Sequence, residues 1–282
     1  MSPVDINSLG AWVGKQETRS DVITQAPVTG LSATLGYTRS LAPAREALPP
    51  LWHWLYFLSA PPAAEVDVDG HARRGGFLPP VSLPRRMWAG GSIRFVAPLY
   101  VGDEVQRVST ISDIRYKQGS SGPLVFVTLS HQVYRGADLA IEELQNLVYR
   151  EAAGTSPAAP GLPASAAAQW SRELEPDPVL LFRYSALTFN SHRIHYDRGY
   201  ATTVEAYPGL VVQGPLTATL LLDAVRRELP DAQLASFEFR GLRPLFEGQL
   251  MHLQGRRDGD GVELWALDAS GAVAMTARAS LR

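Results

Sequence analysis

Several features are missing from this chain of 282 residues, and each absence removes a class of function. The chain has no cysteine, which excludes disulfides, thiolate metal sites and cysteine nucleophiles. Its formal charge of −2 gives no basic surface, so no nucleic acid partner is expected. No apolar run reaches the roughly 18 to 20 residues that a membrane span needs, and the N-terminal segment lacks the pattern of a signal peptide. We therefore expect a soluble, cytoplasmic protein without membrane contact.

Two catalytic signatures are also absent. The sequence contains neither the Gly-x-Ser-x-Gly pattern of serine hydrolases nor a glycine-rich loop for phosphate groups. Hydrophobic residues make up 45% of the chain and charged residues 19%, which is typical of a globular protein with a substantial core. The sequence predicts no cofactor.

A segment of small residues and prolines divides the chain. Residues 152–168, AAGTSPAAPGLPASAAA, have little surface to bury and are typical of an exposed linker. We therefore predict an N-terminal domain at 1–151, a linker at 152–168 and a C-terminal domain at 169–282.

The two halves share a sequence pattern. PLYVGD at Pro98–Asp103 and PLFEGQ at Pro244–Gln249 both have the form Pro-Leu-aromatic-x-Gly-polar. Each hexapeptide precedes three segments with the alternation and β-branched content of strands. These are EVQRVSTISDIRY, LVFVTLSHQVY and LAIEELQNLVYR in the first half, and QLMHLQGRR, VELWALDA and AVAMTARASL in the second. The match favours an internal duplication.

Each half also has one candidate helix before its strands. Gly214–Leu229 has an apolar stripe opposite a charged face, with Pro215 in its first turn and Pro230 after its end. Pro49–Leu58, PPLWHWLYFL, is shorter and has aromatic residues on all sides, which predicts a buried helix or one that lines an apolar pocket. An antiparallel sheet around one helix, present twice, indicates an α+β fold.

The stretch Leu187–Ala201, LTFNSHRIHYDRGYA, concentrates polar side chains just before the second candidate helix. Together with the preceding residues it resembles the hydratase 2 motif of the MaoC-like hot dog enzymes. The motif has an aromatic residue, Ser/Thr-Gly-Asp-x-Asn-Pro, an aliphatic residue and His, then Ala or Ser six residues later. The residues that match it directly are Thr188, Ile194, His195 and Ala201. The residues that depart from it are Phe189 for Gly, Asn190 for the catalytic Asp, and His192 and Arg193 for Asn-Pro.

The departures resemble one subgroup of that family. TFNSHRIHYD and YPGLVVQGPL are similar to the mesaconyl-C4-CoA hydratases, itaconyl-CoA hydratases and type 2 hydroxyacyl-thioester dehydratases, as are RRGGFLPPVSLPRRMWAGGSIRF and GPLVFVTLSHQVYR in the first half. The resemblance covers nearly the whole chain. It implies a double hot dog fold of two tandem hot dog domains, an acyl-CoA substrate, a homodimer and a role in itaconate degradation.

The hydration of an enoyl thioester requires a base for water, donors for the charge on the thioester oxygen, and a proton for the α-carbon. His195 can carry the proton near neutral pH. Gly214 opens a helix whose free N–H groups can hold the thioester oxygen. Asn190 cannot act as a base, so we expect it to position the water through its carbonyl while its NH₂ group donates. Asp197, two residues after His195, is an alternative partner for the imidazole.

Several other residues of the two halves have more than one possible role. A branched dicarboxylic acyl group would need an arginine, and Arg193 and Arg86 are the candidates; Arg85 and Arg86 can equally be solvated loop charges. Trp88 could cover the acyl chain, and Pro215 could contact substrate beside Gly214. His192 and His195 have the spacing of two metal ligands, but no third ligand is evident in the sequence, so we predict no metal site. We expect Tyr184 and Tyr196 to be packing residues.

The leading hypothesis is therefore a hydro-lyase that acts on itaconyl-CoA or mesaconyl-C4-CoA and forms citramalyl-CoA. The alternatives are a general 3-hydroxyacyl-thioester dehydratase or enoyl-CoA hydratase, a hot dog thioesterase, and a non-catalytic acyl-CoA-binding protein. The last two differ from the first two because they do not add water to a double bond.

Overall fold

The computed structural model describes residues 5–43, 46–119, 122–152 and 161–282. The strands in these ranges are β1 (Gln16–Val22), β2 (Arg85–Phe95), β3 (Glu104–Gly119), β4 (Gly122–Arg135), β5 (Asp138–Arg150), β6 (Trp170–Leu174), β7 (Leu234–Gly241), β8 (Met251–Asp258), β9 (Gly261–Leu267) and β10 (Val273–Leu281). The helices are α1 (Ile6–Gly10), α2 (Gln25–Thr34), α3 (Pro178–Leu187), α4 (Arg198–Thr203) and α5 (Gly214–Glu228), with short 3₁₀ turns at Trp52–Leu55, Ala63–Glu65 and Arg193–His195. None of the described helices has the length and apolar character to cross a membrane.

The strands form one sheet in the order β1-β3-β4-β5-β2-β7-β10-β9-β8-β6. Counted inward from one edge, the order is β1-β3-β4-β5-β2. Counted inward from the other edge, it is β6-β8-β9-β10-β7, so the N-terminal and C-terminal strands are arranged in the same way. The two sets meet at the antiparallel pair β2 and β7, where Ile93 lies opposite Phe237. The sheet is therefore continuous, but its strand order has an internal twofold repeat. Each domain predicted from the sequence contains one set of five strands, and the exact domain bounds stay a prediction.

The two hexapeptides occupy equivalent places in this topology, between β2 and β3 and between β7 and β8. Tyr100 of the first forms an isolated bridge with Ala47, and Phe246 of the second forms one with Val211. The glycines of the two hexapeptides both have a positive φ, 101° and 64°. The duplication inferred from sequence therefore extends to matching backbone contacts.

The two predicted helices have different outcomes. The second is α5, which begins at Gly214 as predicted and ends at Glu228. The prediction of a helix at Pro49–Leu58 is wrong, because only Trp52–Leu55 forms a single 3₁₀ turn. Leu51 and Phe57 have φ values of 70° and 57°, which a right-handed helix cannot contain. The segment is nevertheless buried, as predicted from its lack of a polar face, and the helix of this half is α2.

The core passes through both halves. One hydrophobic cluster contains Ile93 of β2, Leu221 of α5 and Leu264 of β9. The halves approach closely because β2 carries glycine where it meets its neighbours. A Cβ on Gly90 would lie 2.4 Å from the Phe239 carbonyl oxygen, which is closer than atoms can approach without a backbone shift. The AGG sequence of β2 thus permits the central strand pair that unites the two sets.

The linker predicted at 152–168 falls partly outside the described residues, which omit 153–160. In its second part the carbonyl of Leu162 accepts a hydrogen bond from the Val273 amide, 2.8 Å away. Ala164 and Ala166 pack against a cluster that contains Trp265. This part of the segment is therefore held against the C-terminal half of the sheet.

Candidate active site

The polar stretch noted in the sequence forms a compact loop and turn between two helices. Helix α3 ends at Leu187, and Phe189 then adopts a φ of 47°, which reverses the chain. The 3₁₀ turn at Arg193–His195 follows, and α4 begins at Arg198. Local turns, and not one helix face, therefore position the side chains of this stretch. His192 and His195 do not lie three residues apart on an α-helix, as a pair of helical metal ligands would.

His195 is buried, with 8% of its surface exposed, and its ring is fixed by one backbone group. Its Nδ1 lies 2.7 Å from the Val211 carbonyl oxygen. Because a carbonyl only accepts hydrogen bonds, Nδ1 carries a proton and the Nε2 of the neutral ring has a free lone pair. Burial lowers the pKa of His195 to about 4. The imidazole is therefore neutral and able to accept a proton at neutral pH.

The same backbone segment connects His195 to the start of α5. Val211 precedes the helix by three residues, and the amide of Val211 donates to the Ile194 carbonyl at 2.9 Å. Gln213 at the N-cap position makes no side-chain cap, so the first N–H groups of the helix remain available. A Cβ on Gly214 would meet only the Trp88 carbonyl oxygen at 3.6 Å. The packing of the described chain thus does not itself demand a glycine there.

Gln213 has one polar atom without a partner. Its Nε2 donates to the Leu181 carbonyl and to the Ser185 hydroxyl, both at 2.9 Å. Its Oε1 is buried and accepts no hydrogen bond from any described residue. A buried acceptor without a donor is costly unless a ligand or water satisfies it. This acceptor therefore adds a second polar group to the open end of α5, where Pro215 is the second helical residue.

Asn190 is held by two local hydrogen bonds, and its role toward water stays a prediction. Its Oδ1 accepts a hydrogen bond from the His192 amide at 3.1 Å, and its backbone amide donates to the Ser185 carbonyl at 2.8 Å. The carbonyl that was expected to hold water is therefore engaged in a local turn. The NH₂ group has no hydrogen bond to any described residue, so Asn190 is best placed to donate.

Asp197 is committed to other partners. Its Oδ1 accepts from the Tyr200 amide at 3.0 Å and caps α4, while its Oδ2 lies 2.7 Å from an Arg193 nitrogen. The Tyr200 amide and the Arg193 guanidinium lower the pKa of Asp197. Neither oxygen contacts His195. Both oxygens of Asp197 are therefore engaged beside the site, and its role as an alternative partner of the imidazole stays a prediction.

A loop from the N-terminal half, absent from the sequence predictions, completes the site. Residues 66–72 form a tight turn closed by a bridge between Val66 and Ala72. The Asp69 carbonyl accepts from the Arg193 amide at 2.9 Å, and the Gly70 carbonyl accepts from the Ser191 hydroxyl. We name residues 66–72 the docking loop. Its sequence, VDVDGHA, has the composition of a surface turn, and the His two residues after an Asp was the only signal of a functional role.

The docking loop brings an Asp–His pair beside the motif histidines. His71 Nδ1 lies 2.9 Å from Asp69 Oδ2. The rings of His71 and His192 have centroids 4.0 Å apart, and those of His192 and His195 are 5.3 Å apart. Possible ligand atoms of Asp69, His71 and His192 all lie within 4.8 Å of one another. The sequence pattern offers no third ligand beside the motif histidines, but the docking loop brings two possible ligands to His192. The absence of a metal stays a prediction, and a metal site is not the only use of such a cluster.

Burial is the main effect that opposes the protonation of the three imidazoles. Burial lowers the pKa of His71, and the nearby positive charge of Arg86 lowers it further, while Asp69 acts in the opposite direction. Burial and the other two histidines lower the pKa of His192. Burial of Asp69 opposes its ionisation, but the hydrogen bonds from the His71 ring and from the His71 amide lower its pKa overall. At neutral pH the cluster is thus one carboxylate with three neutral imidazoles.

The arginines named from the sequence have distinct environments. Arg193 forms an ion pair with Asp197 at 2.7 Å and donates to the Val68 carbonyl at 3.1 Å. Arg85 is buried and forms an ion pair with Glu205 at 2.7 Å. The alternative that Arg85 is a solvated loop charge is therefore wrong. Arg86 is half-buried and has no hydrogen bond or ion pair with any described residue. Arg86 is therefore the guanidinium that remains free beside the histidines.

Two cavities and a pair of tryptophan rings lie near the histidines or elsewhere in the N-terminal half. A cavity of about 20 Å³ is bordered by Asp69, Arg86 and His192 among other residues, which is enough for one water molecule. A larger cleft of about 510 Å³, lined by residues such as Arg19 and Tyr56, has none of the three histidines in its lining. Trp88 packs against Trp54, with ring centroids 5.0 Å apart, and its carbonyl faces Gly214 as noted above. The sequence-predicted residues His195, Gly214, Trp88 and Arg86 thus lie around one region.

Comparison with known proteins agrees with this architecture. The chain is similar to the structure of a MaoC-like dehydratase from Phytophthora capsici, with a TM-score of 0.70, 16% identity and 99% of both chains covered. It is also similar to a Mycobacterium tuberculosis protein described as having a double hot dog fold, with a TM-score of 0.60, 14% identity and coverage of 95% of this chain and 96% of that one. The fold is therefore a double hot dog of the MaoC-like class, which confirms the α+β prediction.

Sequence comparison identifies the family. Residues 51–247 match the family model of hydroxyacyl-thioester dehydratase type 2. The chain is 45% identical over 274 residues to the mesaconyl-C(4)-CoA hydratase of Chloroflexus aurantiacus, with 96% of this chain and 97% of that protein covered. This chain belongs to the hydroxyacyl-thioester dehydratase type 2 family, as the motif of Leu187–Ala201 indicated.

Proposed function

We propose that this protein is a hydro-lyase that adds water across the double bond of a short, branched, dicarboxylic enoyl-CoA. The substrate is itaconyl-CoA or mesaconyl-C4-CoA and the product is citramalyl-CoA, with a role in itaconate degradation. The observation that carries the proposal is the neutral, buried His195, which one backbone segment connects to the open end of α5. The similarity to a mesaconyl-C(4)-CoA hydratase supports the same reaction.

The site has the groups that hydration needs. The His195 Nε2 lone pair accepts a hydrogen bond from water and activates it as a base. In mesaconyl-C4-CoA the double bond is conjugated with the thioester, so its electron pair moves to the thioester oxygen as the water oxygen bonds to the β-carbon and the water O–H bond breaks. The double bond of itaconyl-CoA joins the β-carbon to a methylene group, so this substrate must first isomerise to mesaconyl-C4-CoA by moving a proton from the α-carbon to the methylene carbon. The Gly214 N–H at the start of α5 stabilises the thioester oxygen, an effect worth roughly 2.7 to 4 kcal/mol per donor in other enzymes. The proton then passes to the α-carbon, which completes the addition of one water molecule.

Arg86 is our candidate for the carboxylate of the substrate. A carboxylate left unpaired in a buried site would cost several kcal/mol, and a guanidinium can bind it through two parallel hydrogen bonds. Arg193, the other candidate from the sequence, already pairs with Asp197, whereas Arg86 has no partner in the described part of the chain and borders the small cavity. The acyl chain would then lie against Trp88 and Pro215 near the start of α5.

The decisive experiment is a panel of enoyl-CoA thioesters with two arginine variants. Wild type should hydrate mesaconyl-C4-CoA or itaconyl-CoA with a kcat/KM about 10- to 150-fold above that for crotonyl-CoA, the value of 1.5 to 3 kcal/mol for charged hydrogen bonds. Arg86→Gln should remove most of that preference, while Arg73→Gln, at an exposed position of the neighbouring loop, should retain it. The assay follows the loss of the enoyl-thioester absorbance for mesaconyl-C4-CoA and crotonyl-CoA, and the formation of citramalyl-CoA by chromatography for itaconyl-CoA.

Other outcomes of the panel identify the alternatives. Equal or greater activity on crotonyl-CoA or longer unbranched thioesters would make the protein a general enoyl-thioester hydratase. Release of free thiol would indicate a thioesterase, for which the half-buried Asp69 of the docking loop is the candidate carboxylate, although His71 already engages it. Binding without turnover would indicate a non-catalytic acyl-CoA-binding protein.

We further propose a homodimer in the cytoplasm, where acyl-CoA thioesters are formed and consumed. Hot dog domains commonly pair through their sheets, but here β2 and β7 already pair within one chain. A second chain must therefore use another surface. Light scattering coupled to gel filtration would measure the mass, and a value near 30.7 kDa would contradict the dimer.

A further inference from the structure

The docking loop provides a group that neither the motif nor the family model assigns. The docking loop is separated from the motif by about 120 residues in sequence but contacts it through the backbone carbonyls of Asp69 and Gly70. Asp69 Oδ1 also accepts from the His71 amide at 2.8 Å, and Oδ2 lies 2.9 Å from the ring Nδ1. The carboxylate thus holds both the backbone and the imidazole of His71. This arrangement fixes the neutral tautomer, with Nδ1 protonated and Nε2 unprotonated.

The three imidazoles differ in one decisive respect. His195 has a backbone carbonyl as its partner, and in the described part of the chain no carboxylate contacts His195 or His192. Only His71 has an anion within hydrogen-bond distance. A carboxylate stabilises the imidazolium that forms when a histidine accepts a proton. In a site whose burial opposes positive charge, the proton is therefore held best on His71.

We propose that Asp69 and His71 form a second acid–base pair of the site, in which His71 carries the proton of hydration and Asp69 positions it. The pair replaces the carboxylate that Asn190 lacks. This inference rests on the proposed function and deepens it, because His195 is then not the sole base. The rings of His71 and His195 both lie against His192, and in this proposal each Nε2 lone pair accepts a hydrogen bond from the attacking water.

The proposed step balances without another reactant. The water O–H bond breaks as the C–O bond forms, and the proton goes to His71 Nε2. The π electrons of the double bond move to the thioester oxygen and give an enolate at the start of α5. The proton of His71 then passes to the α-carbon, the enolate becomes the thioester again, and His71 returns to its neutral form. Asp69 remains ionised throughout.

A metal ion is the competing use of the same cluster. Two observations favour proton transfer over a cation. The Asp69 carboxylate and the His71 Nδ1 already share a hydrogen bond, which a metal would have to break. The positive charge of Arg86 also acts on both His71 and His192, and a divalent ion in this place would be repelled by it.

The test uses Asp69→Asn and His71→Gln in the full chain, with Asp67→Asn as the matched control. Asparagine keeps the oxygen that accepts from the His71 amide but removes the charge. Asp67 belongs to the same loop, is exposed, and its side chain contacts only the Val68 amide. We expect kcat to fall at least about 10²-fold in His71→Gln and at least about tenfold in Asp69→Asn, with Asp67→Asn unchanged. Thermal unfolding of each variant verifies the fold.

The pH profile separates catalysis from loop structure. The charged or titratable groups that interact with His71 are Asp69, Arg74, Arg86, His192 and His195. Activity needs the neutral base, so it is lost as the pH falls through the pKa of that base. Removal of the Asp69 charge destabilises the imidazolium, so the acid limb of kcat/KM should move to lower pH in Asp69→Asn.

Three results would overturn the proposal. An Asp69→Asn variant with normal kcat would do so, and so would one that loses activity with an unmoved acid limb, because Asp69 would then only support the loop. A stoichiometric metal in the purified protein, with activity lost on dialysis against EDTA and restored by that metal, would assign the cluster to a cation. A wild type that hydrates no enoyl-CoA of the panel would instead refute the proposed function itself.

Discussion

One hydrogen bond and burial set the tautomer and the protonation state of His195. The Val211 carbonyl fixes which nitrogen carries the proton, and burial holds the pKa at about 4. The sequence predicted that this histidine carries the chemistry, because it stands at a fixed place of a known motif. It did not predict the environment that keeps the ring neutral.

His195→Ala should lower kcat at least about 10²-fold, the low end for general acid–base groups. The variant loses the lone pair that holds the attacking water, whichever imidazole then receives the proton. Asn190→Ala should cost less, because only the free NH₂ donor is lost. His252→Ala, at a partly exposed histidine of β8, is the control. A near-normal rate for folded His195→Ala in steady-state kinetics would refute the assignment.

At the scale of elements, the site depends on how the docking loop contacts the motif loop. Gly70 has a φ of +90°, and a Cβ there would lie 1.8 Å from the Ser191 carbonyl oxygen. No side chain fits at this distance without a backbone shift. The loop therefore needs glycine at this position both for its conformation and for its contact.

Gly70→Ala should separate the docking loop from the motif and lower kcat by up to about 10²-fold, the cost of a displacement of roughly 1 Å in an active site. Gly75→Ala is the matched control, since Gly75 also has a positive φ, +95°, but its Cβ would meet only Pro80 at 3.8 Å. Similar thermal unfolding of the two variants with very different kcat would support the role of the contact. Equal kcat values would show that the loop does not position the site.

Local sequence patterns were sufficient to predict some of the helices and strands. The strands from β3 to β5 and from β8 to β10 lie where alternation placed them, and α5 begins at its predicted glycine. The failure at Pro49–Leu58 has a specific cause, because two left-handed residues enclose the WHWL turn. Its aromatic residues are buried by the sheet, so their composition indicated burial correctly but gave no information on backbone conformation.

At the scale of the whole molecule, buried histidines connect stability to pH. His131 lies inside the N-terminal half between Ser109 and Gln145, at 2.8 and 3.0 Å. Burial lowers its pKa, with Glu143 and Arg107 acting on it in opposite directions. The unfolded chain therefore binds a proton below about pH 6.5, whereas the folded chain does not bind it until a lower pH.

The free energy of unfolding should thus be fully retained above about pH 6.5 and should decrease as the pH falls below it. His131→Gln should make this decrease shallower by up to about 1.4 kcal/mol per pH unit, the contribution of one proton. Ser109→Ala removes a hydrogen bond but no titrating group, so it should lower stability with little change in slope. Urea unfolding at several pH values measures both, and an unchanged slope in His131→Gln would contradict the prediction.

The sequence by itself determined the family, the α+β class, the position of His195 and the helix that begins at Gly214. These features follow from short patterns, because strand alternation, helix starts and motif spacing involve residues close together in the chain. Only the tertiary structure decided that Asp69 and His71 join His192, that Arg193 is occupied while Arg86 is free, and that β2 pairs with β7. Each of these depends on contacts between distant segments, and the composition of either segment alone does not specify its partner.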